Sequence, residues 1–219
     1  MKSFIHTVYN VFLDILSPPF CAFCTTFLPY RTPLCAACFA KIKPLVSTKL
    51  ALTQNYPLSV YALASYEEPL RKLILAKNRG NIIAAHQLGT LMAQSFPDSL
   101  NNADVLVPLP LHWTRSAWRG FNQAEVIAKV IAQHHNKKMV SLLKRSHKTK
   151  FQASLNATQR AKNVNNAFTL TDQLSAYTGK HIVLIDDLMT TGATLHAAAK
   201  QLIKIKPASI SAFVACRVV

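Results

Sequence analysis

Acidic residues are scarce in this chain: nine Asp and Glu stand against 25 Lys and Arg, for a formal charge of +16. Such a field favours polyanions, meaning nucleic acid, anionic lipid or phosphorylated small molecules, and it sets partners and solubility rather than fold. A basic protein without a polyanionic partner is the plain alternative. Also missing is any apolar stretch approaching the roughly 18 residues of a transmembrane helix. There is no low-complexity tract and no internal repeat beyond a doubled CxxC. Half of the residues are hydrophobic, which excludes wholesale disorder. A length of 219 residues suggests one ordinary domain plus an appendage.

A secretory signal is missing as well. In "MKSFIHTVYNVFLDILSPPF" the apolar run is broken by His6, Asn10 and Asp14, and no small-residue cleavage site follows. Phe4, Val8, Val11, Phe12, Ile15 and Leu16 fall on one helical face, which reads as an amphipathic helix packed on its own protein and ended by Pro18 and Pro19. A membrane-surface helix would want more cations on its polar face than Lys2. The expectation is a cytoplasmic protein with no stable membrane insertion.

Four of the five cysteines form "CAFC" and "CAAC": Cys21, Cys24, Cys35 and Cys38, spaced C-x2-C-x10-C-x2-C. Each pair places two sulfurs on one tight turn, and four thiolates complete a tetrahedral zinc shell. Two disulfides would conflict with the missing secretory signal, and a redox CxxC has no need of a duplicate. A closed four-cysteine site leaves no open coordination position, so the zinc is expected to be structural. Cys216, in an apolar C-terminal run, reads as a buried inert thiol.

Beyond the cysteines, "KPLVSTKLALTQNYPLS" (43–59) reads as an irregular connection. "VYALASY" (60–66) reads as a strand. The helix "EEPLRKLILAKNRG" follows, with Pro69 near its first turn and Gly80 as its stop. "NIIAAHQLGTLMAQSF" and "NQAEVIAKVIAQHHN" read as helices, "ADVLVPLP" as a buried strand and "KMVSLLKRS" as a strand. "SLNATQRAKNVNNAF" is polar and partly helical by pattern. "HIVLIDDL" is nearly all apolar, as in a parallel strand buried on both faces. The helix "TTGATLHAAAKQLIKIK" and the strand "SISAFVACRVV" close the chain. The alternation predicts an α/β domain with a largely parallel sheet.

Within that frame, "HIVLIDDLMTTGATLH" (181–196) carries the chemistry. Ligands of open parallel sheets bind at the carboxyl ends of the strands, where Asp186 and Asp187 fall. Thr190, Thr191, Gly192, Ala193 and Thr194 then turn the chain into a helix. Such a turn exposes backbone N–H groups backed by about half a positive charge from the helix dipole. The three threonine hydroxyls add donors, and Gly192 lets the backbone approach closely. This is a cradle for phosphate, with carboxylates beside it suited to sugar hydroxyls or to Mg²⁺ held through water. A phosphoacceptor domain would lack the threonine-glycine turn, and a Walker A loop would have Lys where Ala193 stands. An ordinary turn with a capping aspartate would account for one Asp but not two with three threonines.

The segment "VLIDDLMTTGAT" resembles the phosphoribosyl pyrophosphate loop of type I phosphoribosyltransferases. With "KNRG", "VPLPLHWTRSAWRGFNQAEVIA" and "KTKFQASLNATQRAKNVNNAF", and with a four-cysteine module in front, nearly the whole chain resembles the ComF competence-protein family, most weakly at residues 1–17 and 43–59. The division implied is 1–44 for the N-terminal helix and zinc-binding module, 45–59 for a linker, and 60–219 for the phosphoribosyltransferase-like domain. By that resemblance His112, Arg115 and Arg119 belong to a pyrophosphate-side loop, where arginine can bind a diphosphate bidentately. Asp186 and Asp187 are the catalytic candidates.

Residues 126–171 carry nine Lys or Arg and no Asp or Glu. A charge run is commonly a solvated face. Here Phe151 beside Lys148 and Lys150, with Gln152 and Arg160, fits either a basic groove with an aromatic platform for single-stranded DNA or a hood over a phosphoribosyl ligand. The resemblance implies a competence factor of natural transformation that binds single-stranded DNA in the cytoplasm, binds phosphoribosyl pyrophosphate with Mg²⁺, and would suit a DNA helicase or DNA-loading protein as partner. The alternative is an active phosphoribosyltransferase transferring ribose 5-phosphate to an amine or nucleobase. A scaffold with a vestigial site is a third reading.

Overall fold

The structure, a computed structural model, describes residues 19–30, 32–44, 47–53, 56–78, 80–111, 120–145, 167–172 and 174–219. Eight strands are described: β1 (Thr48–Thr53), β2 (Tyr56–Ser65), β3 (Val105–Pro108), β4 (Lys138–Met139), β5 (Leu143–Arg145), β6 (Phe168–Leu170), β7 (His181–Met189) and β8 (Ser209–Arg217). The helices are α1 (Ala36–Phe39), α2 (Leu70–Asn78), α3 (Ile82–Gln94), α4 (Gln123–His134) and α5 (Ala193–Leu202). Six strands form one sheet in the order β1-β2-β8-β7-β3-β4, and every neighbouring pair but β1–β2 is parallel. β5 and β6 pair antiparallel on their own.

The apolar run of β7 is explained by its central place, flanked by β8 and β3 and covered on both faces. Val183 and Ile185 join the core beneath α2, α3 and α4, while Ile182 and Leu184 join the core beneath α5. Gly89 of α3 sits so close to α4 that a Cβ there would lie 3.0 Å from the Val130 Cβ, so the two helices pack nearly backbone to backbone. Asp104, just before β3, accepts the His181 N–H at 2.8 Å and pairs with Lys180 at 3.3 Å, which ties the starts of β3 and β7 together.

Three sequence expectations need correction. The stretch 43–59, expected as an irregular connection with a linker at 45–59, holds β1 and the first residues of β2. Pro57 suggests a break there, but the pairing of β2 with β8 begins only at Ser59, so the proline removes no bond from the central ladder. "KMVSLLKRS", expected as one strand, is two: β4 continues the main sheet, then the chain leaves it and β5 pairs with β6. Burial of Leu142 and Leu143 in the core beneath α5 accounts for that departure. The last helix also ends earlier than expected, passing into a 3₁₀ turn at Ile203–Ile205 before β8. The amphipathic helix expected over residues 1–17 and the polar segment around 154–166 lie outside the described residues. No helix among the described residues is long and apolar enough to cross a membrane.

Candidate functional site

The carboxyl ends of β2, β8, β7 and β3 open on the same edge of the sheet, and Asp186 and Asp187 lie near that end of the central strand. After Met189 the chain turns through Thr190 and Thr191 to Gly192, whose φ of 77° is left-handed, and Ala193 starts α5. A Cβ at Gly192 would lie 2.7 Å from Leu50 Cδ1 of β1 and 3.0 Å from Met189 Cε. Position 192 therefore demands glycine twice, by conformation and by space. The Thr191 hydroxyl accepts from the Ala193 N–H at 3.4 Å, and His196 N–H donates to the Gly192 carbonyl at 2.9 Å. Thr190, Thr191 and Ala193 are exposed, and Thr194 is partly so. The turn thus presents the first turn of α5 and two hydroxyls to solvent beside the carboxylates, the arrangement that receives an anion.

The surroundings push the two aspartates in opposite directions. Burial, and then the charge of Asp187, push the Asp186 carboxyl well above the usual carboxylate range. Burial acts on Asp187 in the same direction, but the Lys77 ammonium and the hydrogen bond from Asp186 overcome it and hold Asp187 below its ordinary value. Asp186 Oδ1 also accepts the Asp187 N–H at 2.9 Å. Lys77, 1% exposed in the last turn of α2, forms an ion pair with Asp187 Oδ2. The site therefore sets two carboxyl groups side by side near the strand end, Asp186 favouring its acid form and Asp187 its charged form, suited to hydrogen bonds with hydroxyl groups. Sequence reasoning missed Lys77 and Leu50. "KNRG" marked the segment of the first but not its direction, and nothing local marks an edge strand as the neighbour of a turn some 140 residues on.

The expected pyrophosphate loop lies at the end of β3. Asn122, in its closing arm, donates to the Leu109 carbonyl at 3.1 Å and caps α4 by accepting from Ala124 N–H at 3.2 Å. That clamp joins the two ends of the loop, while His112, Arg115 and Arg119 themselves lie outside the described residues. So do Trp113, Trp118 and the hood or DNA candidates Lys148, Lys150, Phe151, Gln152 and Arg160.

A second centre lies in the N-terminal module. The sulfurs of Cys21, Cys24, Cys35 and Cys38 all fall within 4.8 Å of one another, and the Cys24 and Cys35 sulfurs are 3.7 Å apart. A zinc tetrahedron with bonds of about 2.3 Å has edges of about 3.8 Å, so the four can hold a zinc ion, and no disulfide joins them. The Thr26 hydroxyl and backbone lower the Cys24 thiol to about 6, so this ligand is a thiolate at neutral pH. Burial raises Cys38 to about 12, the cost a cation in the cluster would offset. Cys21, Leu28, Leu34 and Cys38 belong to the same core as α2 and α3, and Lys72 of α2 donates to the Phe23 carbonyl at 2.6 Å. The module is thus seated on the α/β domain. Buried Cys216 is likewise raised to about 12, chiefly by burial, which leaves it the inert thiol expected.

A mostly parallel sheet whose central strand ends in two aspartates and a glycine turn, behind a four-cysteine module, defines a phosphoribosyltransferase-like protein. Residues 119–218 match the phosphoribosyl transferase domain family. The chain is 27% identical over 199 residues to competence protein F of Haemophilus influenzae, covering 88% of this chain and 82% of that one. It is 31% identical over 163 residues to the DNA utilization protein YhgH of Escherichia coli strain K12, with 71% and 70% covered. To the Salmonella typhimurium protein of the same name it is 29% identical over 208 residues, with 90% and 89% covered. The chain belongs to the ComF family of phosphoribosyltransferase-like proteins.

Proposed function

We propose that this protein is a cytoplasmic competence factor that handles incoming single-stranded DNA in natural transformation and binds phosphoribosyl pyrophosphate with Mg²⁺ at the end of β7. The observation that carries the ligand half is the joining of Asp186 and Asp187 to the glycine turn and the start of α5. In this reading the turn from Thr190 to Thr194 holds the 5-phosphate through backbone N–H groups and hydroxyls. Asp186 and Asp187 hold the ribose hydroxyls and, through water, Mg²⁺, which would neutralise the diphosphate. His112, Arg115 and Arg119 take the diphosphate side. The DNA half is supported by the +16 charge, by the acid-free run over 126–171 and by the competence and DNA utilization names of the relatives. Lys148, Lys150, Phe151, Gln152 and Arg160 are the proposed contacts.

The second reading, phosphoribosyl transfer to an amine or nucleobase, is favoured by the same donor site. The transition state would be oxocarbenium-like, so the residues would position the sugar and exclude water. Turnover with release of pyrophosphate, found for any amine or base, would decide for it.

The deciding experiment is fluorescence anisotropy of a labelled single strand at two salt concentrations, with and without phosphoribosyl pyrophosphate and Mg²⁺. The expected result is salt-sensitive binding that the ligand alters, a coupling that must be reciprocal. Asp186→Ala with Asp187→Ala should abolish ligand binding and leave DNA binding largely intact. Absence of DNA binding at low salt would overturn the DNA half, and ligand binding that survives the double substitution would overturn the placement of the site.

A further inference from the structure

Lys77 has no part in the donor loop, yet it pairs with the Asp187 carboxylate that leads into it. It lies in the last turn of α2, buried to 1% exposure, with its ammonium against Asp187 Oδ2. Its backbone is held as firmly as its side chain. The Gly80 N–H donates to the Lys77 carbonyl at 3.1 Å, and Asn81 both donates to the Ala76 carbonyl and caps α3 by accepting from Ala84 N–H at 3.0 Å. Leu70, Leu73 and Ile74 anchor the helix in the core. The "KNRG" stretch therefore places one cation at a fixed point beside the site.

As a device for stability the pair is a poor choice, because apolar residues of similar volume commonly do as well or better in such a position. What a fixed cation does, and a methionine would not, is keep one carboxylate charged and aimed. Asp187 has about four lone-pair positions. Lys77 engages Oδ2, and the Asp187 side chain remains 20% exposed, enough for a ligand hydroxyl to reach it.

We propose that Lys77 is a positioning residue of the sugar-binding half of this site, fixing Asp187 as an oriented acceptor for ribose hydroxyls. The inference rests on the phosphoribosyl reading given above. It assigns Lys77 no contact with phosphate, which the turn at Thr190 to Thr194 receives.

Calorimetric titration of the full chain with ribose 5-phosphate and, separately, with inorganic phosphate tests it. The wild type should bind ribose 5-phosphate more tightly than phosphate. Lys77→Met should lose about tenfold to a hundredfold of the ribose 5-phosphate affinity, as for one hydrogen bond to a charged group, with phosphate affinity unchanged. Lys77→Arg should retain most of the difference. Equal losses for both ligands, or none for either, would overturn the proposal. Should Lys77→Met fail to fold, Lys77→Met with Asp187→Asn removes both buried charges and is compared with Asp187→Asn alone. The two should bind ribose 5-phosphate equally, and a further large loss in the double variant would refute action through Asp187. A wild type that prefers neither ligand would instead remove the phosphoribosyl reading itself, and this proposal with it.

Discussion

At Gly192 the absence of a side chain is the functional group. A left-handed φ costs a residue with a Cβ about 1–2 kcal/mol, and here the Cβ would also press on Leu50 from β1. Gly192→Ala should therefore destabilise the fold by at least about 1–2 kcal/mol in urea denaturation and weaken phosphate binding, since the turn must shift. Asp186 makes the opposite trade. Burial and the Asp187 charge raise its pKa in the folded chain, so as pH rises past about 4 the unfolded chain loses this proton first. Stability present at low pH is then lost progressively until the folded carboxyl itself ionises. Asp186→Asn escapes that loss. Its melting temperature should match the wild type near pH 3.5 and exceed it near pH 7.5, while ligand affinity falls; the reverse order of melting temperatures would show that Asp186 is charged in the fold.

Among the elements, the four-cysteine module depends on four thiols acting together. Metal analysis should find about one zinc per chain, as one four-thiolate shell holds one ion. Cys35→Ser should release it and unfold the module, because such a site contributes folding free energy directly. The damage should spread to α2, whose Lys72 and buried leucines share contacts and core with the module, and hydrogen exchange on α2 would report it. Acid should also release the metal as the thiolates take up protons. The tie between β3 and β7 titrates as well. The His181 N–H, then Lys180, hold Asp104 below the ordinary carboxylate value. Its contribution is present at neutral pH and lost as pH falls through that lowered value, so Asp104→Asn should lower the melting temperature at pH 7 and not in strong acid.

Over the whole molecule the +16 charge makes one further expectation firm. If single-stranded DNA binds, the logarithm of its affinity should fall linearly with the logarithm of salt, with a slope of about −0.7 per phosphate contacted. Anisotropy across a salt series measures it, and an affinity indifferent to salt would mean that the charge is merely solvated surface.

Local patterns in the sequence determined much of this protein: the apolar run of β7, the glycine turn before α5 and the pairing of two CxxC turns each carry their cause in adjacent residues. A strand buried on both faces must be apolar throughout, a left-handed turn wants glycine, and sulfurs two residues apart share a turn. What only the tertiary structure decided depends on distance along the chain. β1 and the first residues of β2 look irregular by themselves and become strands through pairing with each other and with the sheet. Leu50 meets Gly192, and Lys77 meets Asp187, because the fold brings β1 against the turn before α5 and the end of α2 against the end of β7, partners more than a hundred residues further along the chain. The opposite pKa shifts of Asp186 and Asp187 could not be read from two adjacent identical letters. They come from burial and from one lysine, and both exist only once the chain has folded.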